Sequence, residues 1–142
     1  FSDWRFMADK SARFGFPEAL LGMNFPAFVA RYMQDLIGVT KTRDILYAGK
    51  SLKGPEAAEI NLVDKVFSEA ELLPETVRFA ERLAKSPLQT LTGMKRARTE
   101  PYRALFESLR DSDAAELAKI MTSPVTQEGL RSIVEKRRPR YD

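Results

Sequence analysis

The sequence predicts an α/β part followed by an all-helical region, with the boundary near residue 70. Three observations predict it. Residues 3–8 and 12–16 read as short extended pieces in which side-chain character alternates. From Pro26 the apolar spacing becomes helical, broken by one more extended stretch at 61–67. Beyond about residue 70 every segment follows the helical period.

Asp3-Trp4-Arg5-Phe6-Met7-Ala8 alternates imperfectly, with Trp4 and Phe6 on one face, and Asp9-Lys10-Ser11 turns the chain into Ala12-Arg13-Phe14-Gly15-Phe16. Gly15 inside that run predicts close approach of another backbone or a ligand, and Pro17 ends the strand. Two strands this short make a marginal sheet, so further partners are expected. Phe28, Val29, Tyr32, Met33 and Leu36 share a helical face, with Gly38 as its C-terminal cap. Thr40 is expected to cap the next helix, with Ile45 and Leu46 inward and Gly49 at its end. Ser51-Leu52-Lys53-Gly54 reads as a loop, Pro55 as the first position of a short helix from Glu56 to Ile60, and Asn61 to Phe67 as an extended edge.

In the helical region Leu73, Val77, Ala80 and Leu83 are expected to face inward. Ser86-Pro87 opens a helix to about Arg98, and Pro101 opens a longer one carrying Tyr102, Leu105, Phe106, Leu109, Leu117, Ile120 and Met121. Ser123-Pro124 repeats the signal before a last helix with Leu130, Ile133 and Val134 on one side.

Composition narrows the function classes. With 23 Lys+Arg against 20 Asp+Glu the net charge is +3, too balanced for nucleic-acid binding by itself. No apolar run approaches the roughly 18–20 residues of a membrane span, and Phe1-Ser2-Asp3-Trp4-Arg5 lacks the pattern of a signal peptide. No membrane partner is expected, and a cytoplasmic location is. Histidine and cysteine are both absent, which excludes Ser-His-Asp, Cys-His and imidazole- or thiolate-based metal chemistry within these residues. Carboxylates, lysines, tyrosines or backbone amides remain. Two basic clusters stand out: Lys95, Arg96 and Arg98, and Lys136, Arg137, Arg138 and Arg140. Each reads either as a solvated helix end or as an anion site for a phosphate-bearing ligand.

Six pieces in order then resemble the crotonase (enoyl-CoA hydratase/isomerase) family. Asp3 to Ala8, Ala12-Arg13-Phe14-Gly15-Phe16-Pro17-Glu18 and Leu21-Gly22 look like its D-x-R-x-A…A-x-F-G-x-P-E-x-x-x-G stretch. Leu46 to Leu52 resembles L-T-G-x-x-[IL], and Glu56 to Val66 resembles E-A-x-x-x-G-L-V-D-x-V. Ala84-Lys85-Ser86-Pro87-Leu88 resembles A-x-x-S-P-x. Glu128-Gly129 and Val134 to Tyr141 resemble the terminal E-G…F-x-E-K-R-x-P-x-F.

The resemblance implies the C-terminal part of a ββα crotonase spiral over residues 1–70, and a helical, oligomer-forming region over 71–142. It implies an acyl-CoA thioester as substrate, coenzyme A being part of it, with no separate cofactor and no metal. It also implies a homo-oligomer, a trimer or a dimer of trimers. Family members stabilise an enolate-like oxyanion with two backbone N–H groups, and hydratases add two glutamates. Glu18 matches the second glutamate, while the first, and both oxyanion segments, match positions before Phe1. The 142 residues alone are therefore expected to be inactive.

Pro17, Gly22, Phe25, Pro26 and Phe28 match the acyl-site surroundings, where hydratases carry a Pro-Gly-x-Gly-Gly-type loop. Here the loop reads Met23-Asn24-Phe25-Pro26-Ala27-Phe28: the proline is kept and the glycines are not. The two aromatics read either as packing or as a reshaped acyl pocket, and Asn24 as the helix cap. Lys136 matches a lysine that approaches the CoA phosphates, and Tyr141 a position near the adenine or the subunit contact. The simplest activity is hydration of a 2-enoyl-CoA. The alternatives are isomerisation, hydrolysis or decarboxylation, or a non-catalytic association module built on the Tyr102–Met121 stripe.

Overall fold

A computed structural model of the chain describes residues 2–141. Its elements are β1 (Phe6–Ala8), β2 (Phe14–Gly15), a 3₁₀ turn (Glu18–Leu21), α1 (Ala27–Ile37), α2 (Val39–Ala48), β3 (Ser51–Leu52), α3 (Gly54–Glu59), β4 (Lys65–Phe67), α4 (Glu69–Leu83), α5 (Leu88–Met121) and α6 (Pro124–Val134). They form two compact units, neither a single stretch of sequence: residues 1–14 with 52–104, and residues 15–51 with 105–142.

In the first unit β1 and β4 pair in parallel, Phe6 against Lys65, Met7 against Val66 and Ala8 against Phe67. Met7, Ala8, Leu52, Ala57, Leu62 and Val63 are its buried apolar residues. The run after α3 is fixed by Arg5, whose Nε donates to the Leu62 carbonyl at 2.7 Å and whose amide donates to the Asp64 carboxylate at 2.7 Å. Asn61 ends α3 with φ of 61°, a conformation that asparagine tolerates better than most side chains. The Leu62 amide then closes onto the Ala57 carbonyl, and the Asn61 amide onto Ala58, the two bonds of a Schellman end. Phe6 sits edge-on to both Phe67 and Phe79, and Trp4, although 45% exposed, also meets Phe79, so the two share a face as expected while Met7 is buried on the other.

In the second unit α1 and α2 pack together, and α6 packs on the 3₁₀ turn. Met33 and Ile45 are its buried apolar residues, joined by the buried polar Thr42, Thr126 and Ser132. Gly129 lies so close to the turn that a Cβ there would stand 2.3 Å from the Leu21 carbonyl oxygen.

Several expectations are corrected. Residues 51–52 form strand β3, paired with β2, and not a loop. Gly38, not Thr40, is the N-cap of α2. The two helices expected on either side of Pro101 are one 34-residue helix, α5, with the proline inside it. Proline costs an interior helix one hydrogen bond and some crowding, and the turns on both sides carry the helix across it. On α4 Leu73 is 71% exposed and Val77 is exposed as well, whereas Leu72, Thr76 and Phe79 face inward. On α6 Val134 is 82% exposed and Ile133 is also exposed; the packed face is Thr126, Gly129 and Ser132. On α6 small and polar side chains take the closely approached face, whereas on α4 the inward stripe is mixed, Leu72 and Phe79 with Thr76, and lies mostly one position before the expected one. No described helix is long and apolar enough to cross a membrane.

Helix propensity alone would favour alanine over glycine at position 129 by about 1 kcal/mol. The backbone contact outweighs it, so Gly129→Ala is expected to destabilise the protein by about 1–3 kcal/mol, read as a lower urea midpoint at unchanged slope.

Candidate functional site

Glu18 is placed by the chain on both sides of it. Gly15 presses on β3, where a Cβ would stand 2.9 Å from both the Lys50 carbonyl oxygen and the Ser51 Cα, so the close approach expected there is to backbone. Phe16 packs edge-on to Phe25 with centroids 4.8 Å apart. The Pro17 carbonyl accepts from the amides of Leu20 (2.9 Å) and Leu21 (3.1 Å), which opens the 3₁₀ turn that Glu18 begins. Gly22 closes it with φ of 65°, and a Cβ there would also collide with Val125 at 2.3 Å. Glycine is required at that position twice over, by conformation and by space.

The Glu18 side chain is half-buried, and its Oε2 is shielded from solvent without a hydrogen-bond partner among the described residues. Burying a carboxylate oxygen without a donor costs free energy, and such atoms in a folded chain call for an explanation.

Three contacts from the C-terminal segment hold the turn that carries Glu18. Thr126 Oγ1 donates to the Gly22 carbonyl at 2.8 Å, Gly129 abuts Leu21, and Tyr141 Oη donates to the Leu20 carbonyl at 2.7 Å. Sequence reasoning named Tyr141 and missed Thr126. A threonine three residues after the Ser123 cap reads as ordinary helix-start chemistry, and indeed its amide also donates to Ser123 Oγ at 3.2 Å.

The loop after Gly22 departs from expectation. Asn24 does not cap α1: its Nδ2 donates to Glu116 Oε1 at 3.2 Å. The first amides of α1 are taken by Asp113 of α5, Ala27 N to Oδ1 at 3.1 Å and Phe28 N to Oδ2 at 3.2 Å. Pro26 stands at the N-cap position, and Phe28 packs against Phe106 with centroids 5.2 Å apart. A cleft of about 440 Å³ runs beside this loop, bordered by Asn24, Phe25, Thr42, Tyr47, Asp113 and Glu116. The sequence held one signal for Asp113: a helix start after Pro26 with no Ser, Thr, Asp or Asn at its N-cap needs an acceptor from elsewhere.

The basic clusters resolve differently. Lys95 and Arg98 both bind the Asp3 carboxylate, and Lys95 first, then Arg98, holds that carboxyl below its usual range. These two cations are engaged within the fold. In the tail Arg137 grips Glu128 with two nitrogens and also reaches Glu135. Lys136 is exposed, makes no ion pair among the described residues, and has φ of 52°. The Lys136 amide donates to the Ile133 carbonyl (3.1 Å) and the Arg137 amide to Ser132 (3.0 Å), so a lysine occupies the left-handed position of a Schellman end. Glycine is the usual occupant there.

The sequence profile of the enoyl-CoA hydratase/isomerase family matches residues 1–142. A crotonyl-CoA hydratase of Syntrophomonas wolfei is 28% identical over 136 residues, covering 95% of this chain and 52% of the relative. A cyclohexa-1,5-dienecarbonyl-CoA hydratase of Thauera aromatica is 28% identical over 137 residues, covering 95% and 52%. The chain thus spans about half the length of the curated relatives it matches. Among solved structures, an enoyl-CoA hydratase/isomerase from Pseudoalteromonas atlantica superposes with a TM-score of 0.89 at 24% identity, over 99% of this chain and 56% of that one. The human mitochondrial delta3-delta2-enoyl-CoA isomerase superposes with a TM-score of 0.86 at 20% identity, over 94% and 52%. At these identities the likeness shows the fold, and it is the crotonase fold that the motifs imply.

Glu128 gives the tail a pH dependence. The Arg137 guanidinium, and then the Arg140 amide, bring its carboxyl down from 4.5 to about 2. A depressed carboxyl stabilises the fold fully above its unfolded value and loses that contribution as pH falls towards its folded one. Glu128→Gln is therefore expected to lower the melting temperature at neutral pH, and the gap to the parent should close between 4.5 and about 2. Melting curves of both proteins across that range check it.

Proposed function

The chain belongs to the enoyl-CoA hydratase/isomerase family, and from that premise we propose that the complete protein binds an acyl-CoA thioester and hydrates a 2-enoyl-CoA, with Glu18 in acid–base catalysis. The observation that carries the reading is the shielded Glu18 Oε2, without a hydrogen-bond partner among the described residues, on a turn held by three contacts from the C-terminal segment.

Water adds across the double bond. Its oxygen bonds the β-carbon, one proton leaves to a carboxylate, and a proton is delivered to the α-carbon, while the thioester oxygen carries the transient negative charge. Glu18 takes one of these two proton transfers. The other glutamate and the two oxyanion amides are assigned to sequence outside these 142 residues. Pro17 and Gly22 shape the turn, and Phe25, Pro26 and Phe28 form the wall beside the acyl group. Lys136 serves the CoA phosphates as a point charge, and Tyr141, as well as holding Leu20, lies on the CoA side. Assembly as a trimer or a dimer of trimers in the cytoplasm completes the reading. It would cover apolar groups that α5 leaves exposed, among them Leu88, Met94 and Leu117.

A second reading is a different reaction on the same thioester enolate: isomerisation, hydrolysis or decarboxylation. The packed aromatics Phe25 and Phe28, standing where hydratases carry glycines, favour it. Product analysis with crotonyl-CoA separates the two, since only hydration yields the 3-hydroxyacyl-CoA.

In the complete protein Glu18→Gln is expected to lower kcat by roughly 10²–10⁴-fold with little change in KM. An unchanged kcat removes Glu18 from the chemistry. Lys136→Gly tests the CoA side, because glycine keeps the left-handed backbone and relieves a cost of about 1 kcal/mol. The melting temperature should hold or rise while the affinity for free CoA falls roughly tenfold; unchanged affinity overturns the Lys136 assignment.

A further inference from the structure

We propose that Asp113 and Glu116 are positioning residues that set the acyl-group selectivity of the site, by fixing the Asn24–Phe28 segment from α5. The proposal rests on the reading above that Phe25 and Phe28 wall the acyl group.

Residues 24–28 have little to hold them locally. Pro26 has no N–H, gives no side-chain cap, and contributes only its carbonyl, which accepts from Ala30 at 3.0 Å. The first amides of α1 would otherwise point outward unpaired. One carboxylate answers both: Asp113 spans the amides of Ala27 and Phe28 with its two oxygens, and its negative charge lies at the positive end of the helix. Three residues further along α5, Glu116 accepts from Asn24 on the other side of Phe25 and Pro26. Seven residues before Asp113, Phe106 packs on the ring of Phe28. Positions 106, 113 and 116 recur at helical spacing, so one stripe of α5 grips the segment at both ends and at its aromatic ring.

Two consequences follow. The α1 amides already bonded to Asp113 are committed, so the start of this helix is not where an anionic group of the substrate is received. The placement of Phe25 and Phe28 depends on α5, and both Asp113 and Glu116 border the cleft beside Phe25. Moving such a wall by about 1 Å can change turnover up to roughly a hundredfold without any contact to the reacting atoms.

The test uses the complete protein and saturated acyl-CoA thioesters, one short and one long, with free CoA as reference, all by titration calorimetry. Asp113→Ala is expected to change the ratio of the two thioester Kd values by roughly fivefold or more, while Kd for free CoA stays within about twofold. Asp113→Asn, which keeps one acceptor oxygen, should fall between. A merely structural role would weaken all three ligands together and leave the ratio in place. If Asp113→Ala does not fold, Glu116→Ala and Asn24→Ala carry the test. Each should shift the ratio, and their double variant should shift it no further than either alone. A folded Asp113→Ala with the parent's ratio, a parallel loss of free-CoA affinity, or additive effects of Glu116→Ala and Asn24→Ala overturns the proposal. If the parent binds neither thioester, the acyl-CoA reading itself falls and takes this proposal with it. That result is distinct from a parent that binds both and a variant that matches it.

Discussion

The carbonyl groups of Leu20, Leu21 and Gly22 all turn towards the C-terminal segment, and the position of Glu18 follows from how they are met. Tyr141 donates to the first, Gly129 gives the second the room of a missing Cβ, and Thr126 donates to the third. A 3₁₀ turn of four residues has no stability of its own, so its place is decided by whatever it docks on. The dock is α6. Thr126 is 0% exposed because its hydroxyl is used and its methyl is packed. The Glu128–Arg137 pair folds the tail back so that Tyr141 can reach. A carboxylate proposed for chemistry is thus aimed by residues more than a hundred positions away.

The second unit relies on such polar anchors because it has few apolar ones. Met33 and Ile45 are its buried hydrophobic residues, whereas the first unit buries Met7, Ala8, Leu52, Ala57, Leu62 and Val63. Apolar burial is non-directional and would leave the loop after Gly22 free to slide. Hydrogen bonds with one geometry do not: the two Asp113 contacts and the Asn24–Glu116 contact each fix a register as well as a distance. The same division explains the close-packed glycines. Where backbone meets backbone there is no side chain to interdigitate, and exclusion takes over from attraction.

What the sequence revealed follows the range of each signal. The order of the motifs carried the family and the fold, and Pro17 was read as the end of its strand, just past which the structure has the 3₁₀ turn that carries Glu18. Local rules located most element ends, including Ser123 at the start of α6. They failed where an interaction crosses the chain. Pro101 reads as a helix start because proline favours that position, yet α5 continues through it. Leu73, Val77, Ile133 and Val134 read as inward because they are large and apolar, yet the faces that pack are defined by Thr76, Phe79, Thr126 and Gly129. Asp113 was legible only as a missing acceptor: the helix start after Pro26 lacks a capping side chain, but nothing near position 113 tells that the acceptor comes from there.

The tyrosine hydroxyl on the Leu20 carbonyl has a genetic consequence. A Tyr141→Phe codon change would leave every proposed acid, wall and phosphate-binding residue encoded, and would match the terminal motif of the family better than the tyrosine does. It would still remove one of the three contacts that hold the Glu18 turn. The loss of one oxygen atom would be scored as neutral or favourable by any measure of likeness to the family. The product would carry Glu18 on a turn with one tether fewer.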